Sequence, residues 1–257
     1  EFYTVAGDFT TSGGLLGASA LELNGSSEYA AQTSATTWNF GDAWSVEMWF
    51  KTSSDSDMVL FDMDNGSDNA NRILLACNAS TNEIKVSAFN SSGSESSLFT
   101  SNVFGADFHD GKWHHLAVTS SGSELKIYAD GKLNKQSTTT IDRDADPSMR
   151  LFIGKKKNNS EFFNGCIDNV RIYHDVRTEA EIREYMFDDS PGGAGTNNIN
   201  AQYLFNEGTG TAIANLQGTT ARNLVLSDAG GWAEAGNFDK GTSTLVMAKS
   251  GTQKLTY

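Results

Sequence analysis

Phe162-Phe163-Asn164-Gly165-Cys166-Ile167-Asp168-Asn169-Val170-Arg171-Ile172-Tyr173 is the stretch on which the reading of this chain turns. Ile167, Val170 and Ile172 want a core. The run is rich in β-branched and aromatic side chains, so it reads as a buried strand. Asn164-Gly165 reads as the turn that leads into it. Asp168 stands among apolar neighbours, where a carboxylate needs a cation or several backbone N–H groups.

The same grammar recurs on both sides. Residues 19–23 alternate and run into Asn24-Gly25, a hairpin-type turn signal. Trp44-Ser45-Val46-Glu47-Met48-Trp49-Phe50 puts Val46, Met48 and Phe50 on one face, with Glu47 and Trp49 on the other. Residues 58–61 form an apolar strand, followed by what reads as an acidic loop over 62–68. Residues 73–77 and 84–89 read as a hairpin. Strands over 113–119 and 125–129 follow, then the turn Asp130-Gly131 and a strand at 151–153. One helix is predicted: Thr178-Glu179-Ala180-Glu181 is a capping box, and Ile182, Tyr185 and Met186 follow at helical spacing.

These elements predict an all-β fold of two antiparallel sheets, a jelly-roll sandwich with one short helix and a strand-bearing C-terminal annex. The predicted domain covers residues 1–190. Pro191-Gly192-Gly193-Ala194-Gly195 opens a linker over 191–200, and 201–257 forms the annex.

Only two prolines against 25 glycines suits short strands joined by turns, and 38% hydrophobic residues is enough for a packed core. Nineteen basic against 32 acidic residues give a net charge of -13, which argues against nucleic acid as a partner and favours cation binding. The basic run Lys155-Lys156-Lys157 reads as a solvated turn. There is no run of about 18 apolar residues, so no membrane span is expected. The chain starts at Glu1 with no initiator Met or signal-like segment, as expected of a processed product or a piece of a longer protein. Cys77 and Cys166 lie in apolar runs and read as separate buried thiols.

Four segments, 20–29, 44–51, 110–119 with 125–133, and 151–182, carry a family resemblance in their order and spacing. The most specific are Ser45-Val46-Glu47-Met48-Trp49-Phe50, Asp110-Gly111-Lys112-Trp113-His114-His115-Leu116-Ala117-Val118, and the Asn164 to Tyr173 strand before a capped helix. This ordered set resembles the laminin-G-like jelly roll of the concanavalin A-like lectin/glucanase superfamily, in its bacterial or phage type. Tyr203-Leu204-Phe205-Asn206-Glu207-Gly208-Thr209-Gly210-Thr211 is similar to the strand that opens such domains, yet it comes after one. Residues 201–257 are therefore a truncated second unit, or strands that complete this sandwich or a neighbour's.

The resemblance implies a structural calcium at Asp168, with Asn24, the Gly25 carbonyl and Asp8 as its partners. The competing reading is that Asp168 accepts only backbone N–H groups. Asp62, Asp64 and Asp68 form the second candidate, a weak ion or ligand site as against a solvated turn. The EF-hand pattern fails there, because Ile73 stands at the twelfth position. Trp38, in a loop-like context with Phe40 and Trp232, is the candidate aromatic contact to a sugar face, with core packing as the alternative. Catalysis is not expected. The laminarinase-type relatives use a Glu-x-Asp-x-x-Glu strand, which this sequence lacks, and Glu47 stands alone. His114 and His115 point to opposite faces of a strand and cannot act on one ligand.

The function implied is non-catalytic recognition or adhesion outside the cell, at a cell or virion surface, with glycan or protein as ligand. The alternative is a structural decoration, fibre or shell protein of a phage or surface assembly. There, 201–257 would mediate contacts in a homo-oligomer or with virion neighbours.

Overall fold

The structure, a computed structural model, describes residues 16–38, 41–66, 69–100, 107–141, 146–188 and 198–234. Alternating apolar and polar residues yield the strands β1 (Ser19–Asn24), β2 (Ala30–Gln32), β3 (Thr36–Trp38), β4 (Ala43–Lys51), β5 (Met58–Asp64) and β6 (Ile73–Asn78). Next come β7 (Glu83–Phe89), β8 (Glu95–Phe99), β9 (Trp113–Ser121), β10 (Glu124–Ala129), β11 (Lys132–Thr138), β12 (Asp146–Ile153) and β13 (Asn164–Tyr173). After helix α1 (Glu179–Tyr185) follow β14 (Ile199–Tyr203), β15 (Ala212–Ile213), β16 (Leu224–Leu226) and β17 (Trp232–Glu234).

Two antiparallel sheets form a sandwich. The eight-stranded sheet runs β11-β10-β9-β4-β13-β1-β17, with β14 also on β13. The nine-stranded sheet runs β15-β16-β2-β12-β5-β6-β7-β8, with β3 also on β12. One apolar cluster fills the space between them. It takes Val46, Met48, Phe50, Leu116, Val118, Ile167 and Ile172 from the first sheet, and Leu60, Phe61, Met63, Ile73, Leu75, Val86 and Ile153 from the second.

Two of the register shifts decide where charges go. In β13 the register shifts between Asp168 and Arg171, and Asn169 takes a φ of 49°. The extra residue keeps Val170 and Ile172 in the core and turns both Asp168 and Arg171 to the outer face. In β5 the register shifts between Val59 and Phe61. Leu60 and Phe61 then both enter the core, while Asp62 and Asp64 face outward.

Two Asn-Gly pairs are not the turns that the sequence suggested. Asn164-Gly165 lies within β13, where Gly165 has a φ of +144° and an added Cβ would sit 2.1 Å from the Lys51 carbonyl oxygen. Close approach of the neighbouring backbone demands glycine here. Asn24-Gly25 links β1 to β2, which belong to different sheets, so it is a crossing and not a hairpin. Asn24 Oδ1 holds that crossing by accepting the N–H groups of Ser26, Ser27 and Glu28.

The helix forms as its capping box dictates. Thr178 Oγ1 accepts from Glu181 N–H, and Glu181 reaches back to Thr178 N–H. Ile182 then packs on Ala117 and Tyr128, on the outer face of the eight-stranded sheet.

The described strands beyond residue 198 are built into this same sandwich. β14 pairs with β13 from Val170 to Tyr173, and β1 pairs with it from Asn164 to Ile167, so the two share one flank of β13. β16 pairs with β2, and β17 with β1. Asn206 Oδ1 accepts from Ala18 N–H at 2.6 Å where β14 gives way to β1. The rest of the predicted annex, 235–257, lies outside the described residues. Both thiols are free and buried. Burial pushes Cys166 up to about 11 and Cys77 higher still.

Candidate functional site

Cross-strand register builds the outer face of the nine-stranded sheet in rows. One row reads Ala31, Phe152, Asp62, Leu74, Ser87, Ser97. Beside it, Arg150 pairs with Asp64. Arg72, just before β6, lies next to Asp64, with its guanidinium 5.8 Å from the Phe89 ring centroid. A small apolar patch of Val59, Leu74 and Ala76 lies on the same face.

The two carboxylates are buried and held from several sides. Asp62 accepts from Arg72 Nε and Nη2, both at 2.8 Å, and from the Lys157 backbone N–H at 2.8 Å. This is a two-pronged guanidinium–carboxylate pair. Asp64 accepts from Lys157 Nζ at 2.8 Å on each oxygen and lies 3.5 Å from Arg72 Nε. Burial alone would lower the Arg72 guanidinium, but its bonds and attraction to Asp62 raise it.

The loop that carries Lys157 leaves the sheet after β12 and closes on itself through Lys156 and Ser160. Between this loop and the sheet lies a cavity of about 260 Å³, lined by Asp64, Gly66, Arg150, Phe152, Lys157 and Asn158. Arg150 Nη2 donates to the Gln32 carbonyl at 2.7 Å, and its guanidinium lies 5.1 Å from the Phe152 ring centroid. Lys155 Nζ lies 3.7 Å from the Tyr29 ring centroid and 5.0 Å from that of Phe152, and it donates to Asn159 Oδ1. Burial, then the nearby charge of Arg150, lowers the Lys155 ammonium.

The structure thus corrects the reading of 62–68 and 155–157 as solvated turns. Asp62 and Asp64 are strand residues at 0% and 1% exposure, and Lys155 is 4% exposed. The β5 bulge places the acids, and the returning loop supplies their cations. Asp68 and Phe40 lie outside the described residues. Trp38 does not stand at a rim. It is completely buried on β3, donates from Nε1 to Gln32 Oε1 at 3.1 Å, and is covered by Arg222 at 4.5 Å. Trp232 is buried on β17 and donates to the Gly210 carbonyl at 2.8 Å. The cavity residues Arg150, Phe152 and Asn158 were not singled out from sequence. Their one local sign was the spacing of Phe152 before the lysine run.

Asp168 and Asn24, two of the predicted calcium ligands, are not brought together. Asp168 is buried and accepts from Leu16 N–H at 3.1 Å. Asn24 pairs with Asn164, four residues along β13 from Asp168, a separation of roughly 13 Å at strand spacing. Asn24 Oδ1 is already engaged in its own turn. Asp8 lies outside the described residues, among which no group of three or more His, Cys, Asp or Glu could hold a metal ion. The described residues therefore do not fit the expected set.

The outer face of the eight-stranded sheet holds a second charged cluster. Glu47 Oε1 accepts from Tyr173 Oη at 2.8 Å and lies 3.5 Å from Arg171 Nη1, which donates to the Tyr185 carbonyl at 2.8 Å. His115 Nε2 is 3.7 Å from Glu47 Oε2. Trp49 Nε1 donates to the Met186 carbonyl at 2.6 Å, so the helix end roofs the cluster. Glu47, which looked solitary in the sequence, is the hub of a closed structural network.

No curated protein matches the chain. Among solved structures, a Bacteroides ovatus protein provisionally described as carbohydrate-binding superposes with a TM-score of 0.62 at 16% identity, over 86% of this chain and 61% of its own. The chain thus spans about three fifths of that protein's length. The native heptameric SAP-like pentraxin of Limulus polyphemus gives a TM-score of 0.55 at 11% identity, over 84% of this chain and 94% of its own. At these identities the likeness is one of fold. The sequence profile of the concanavalin A-like lectin/glucanases superfamily, in its laminin-G-like form, matches residues 24–183, more than half of the chain. The chain belongs to that superfamily.

Proposed function

We propose that the chain is a non-catalytic saccharide-recognition module acting outside the cell, at a cell or virion surface. The observation that carries this reading is the cavity on the nine-stranded sheet. It joins an aromatic ring, Phe152, to polar groups of several kinds: Arg150, Lys157, Asn158 and Asp64. A sugar has the complementary surface, with C–H faces that lie on rings and hydroxyls that pair with amides and charges. The provisional description of the Bacteroides fold neighbour supports the reading by analogy.

Hydrolysis is disfavoured by the state of the two acids at the site. A glycosidase needs two carboxyl groups free to serve as acid and base or nucleophile across the scissile bond. Asp62 and Asp64 are instead engaged by Arg72 and Lys157.

A glycan array probed with the full chain, with and without EDTA, tests the proposal. Binding to a restricted set of saccharides is expected, and Phe152→Ala should weaken it roughly tenfold. Silence across the array in both conditions would sink the proposal. Calcium at Asp168 is tested separately by the EDTA arm.

A further inference from the structure

Among the described residues, charge around the cavity does not balance. Arg72 and Lys157 are matched by Asp62 and Asp64. Lys156 is matched by Glu161. Arg150 and Lys155 make no ion pair among the described residues; a carbonyl, an amide oxygen and two aromatic rings are what they touch. Arg150 Nε is buried with no hydrogen-bond partner.

Two cations beside one ring, with no ion pair of their own among the described residues, are out of character for this protein. Its net charge of -13 repels anions over long range. Holding a lysine at 4% exposure beside an arginine is unfavourable unless something offsets it. The rings supply part of that through cation–π attraction. Burial first, and then the charge of Arg150, lowers the affinity of Lys155 for its proton, with Asp62 opposing.

We infer that the cavity takes a saccharide bearing a carboxylate or sulfate, with the acid group against Arg150 and the sugar ring against Phe152. This rests on the saccharide reading and narrows it. A planar guanidinium suits either anion, because its forked N–H groups match their oxygen pairs. Lys155, which does not line the cavity but lies 5.0 Å from the Phe152 ring centroid, acts at second hand by adding positive potential. Asp64 and Lys157, already paired, remain to read hydroxyls.

Matched probes test this. The full chain is titrated with oligogalacturonate and its methyl ester, and with dextran sulfate oligomers and plain dextran oligomers. It is also run on an array of acidic and neutral glycans. An acidic member should bind where its neutral counterpart does not, and the pair that responds tells carboxylate from sulfate. Arg150→Gln should weaken that binding roughly ten- to a hundredfold, and Arg150→Lys should weaken it less. Should Arg150→Gln fold poorly, salt gives the same information on the unaltered protein. Affinity for the acidic member should drop between about 0.05 M and about 0.5 M NaCl, and that for neutral sugars should not. Neutral sugars binding as well as acidic ones, with no response to Arg150→Gln or to salt, would overturn the inference and leave saccharide recognition standing. No binding to any member would overturn both.

Discussion

The two outer faces of the sandwich use the same residue types and reach opposite ends. On the eight-stranded sheet, Glu47 faces Arg171, Tyr173 and His115, and helix α1 with the residues after it covers them. On the nine-stranded sheet, Asp62 and Asp64 face Arg72 and Lys157, but the covering element is an open loop, and a cavity remains beneath it. The first face is a closed network in which the cation has its carboxylate. The second leaves two cations, Arg150 and Lys155, without an ion pair among the described residues. Charge on a sheet therefore does not by itself mark a site; what covers it and whether it balances decide.

The largest expected effect separates the two kinds of charge within the open face. Asp62→Ala would leave Arg72 buried without its main partner, and breaking such a pair costs about 3–5 kcal/mol. Arg150→Gln, which breaks no ion pair, should cost about 1 kcal/mol or less. Urea unfolding of both variants measures this. Equal losses would mean that Arg150 is as structural as Arg72, and the contrast drawn for this face would fail.

The closed face should reveal itself through pH. Burial first, with Arg171 assisting and Glu47 and Asp130 opposing, lowers the His115 imidazole to about 4 from an ordinary 6.5. Between these values the unfolded chain takes up a proton that the folded chain refuses. The contribution of His115 is therefore complete above about pH 6.5 and is lost as pH falls towards 4, by about 3 kcal/mol in all. His114 works the other way. Burial would lower it, but Asp130 and Asp110 raise it, so its contribution is present below pH 6.5 and fades as pH rises. Subtracting the profile of His115→Gln from that of the unaltered protein isolates the first effect. Parallel profiles would show that the helix does not seal this face.

Much of the sandwich was legible in the sequence because local rules agreed with it. The alternation of Val46, Met48 and Phe50, the hairpin over 73–89 and the Thr178 capping box each needed only neighbours within a few residues. The outer faces were not legible for the same physical reason. Asp62 looked like the start of a solvated loop, since nothing near it in sequence discloses the bulge at Val59/Phe61 or the arrival of Lys157, 95 residues on. The family resemblance made Asn24 and Asp168 partners, and β1 and β13 do pair. Register then set them roughly 13 Å apart, and register is what a sequence motif leaves open. Trp38 looked like a loop aromatic until β3 found its place on β12, under Arg222.

The smallest expected effect on stability is the sharpest test of the open face. Asn158 lines the cavity from the loop, and its Oδ1 accepts from Ser160 Oγ within the same turn. Asn158→Ala removes no core packing and no charge, so its stability should stay within about 0.5 kcal/mol of the unaltered protein. If the cavity reads sugar hydroxyls, the same change should weaken saccharide binding several-fold, about 1 kcal/mol for one lost neutral hydrogen bond. On the closed face, Tyr173 sits in a network whose every removal should register in the unfolding free energy, because Glu47 would be left buried with fewer donors. Loss of binding without loss of stability is thus the signature of the open face alone. Calorimetry of Asn158→Ala with the best array ligand, beside its urea curve, checks for it; a stable variant with unchanged affinity would move the sugar away from this loop.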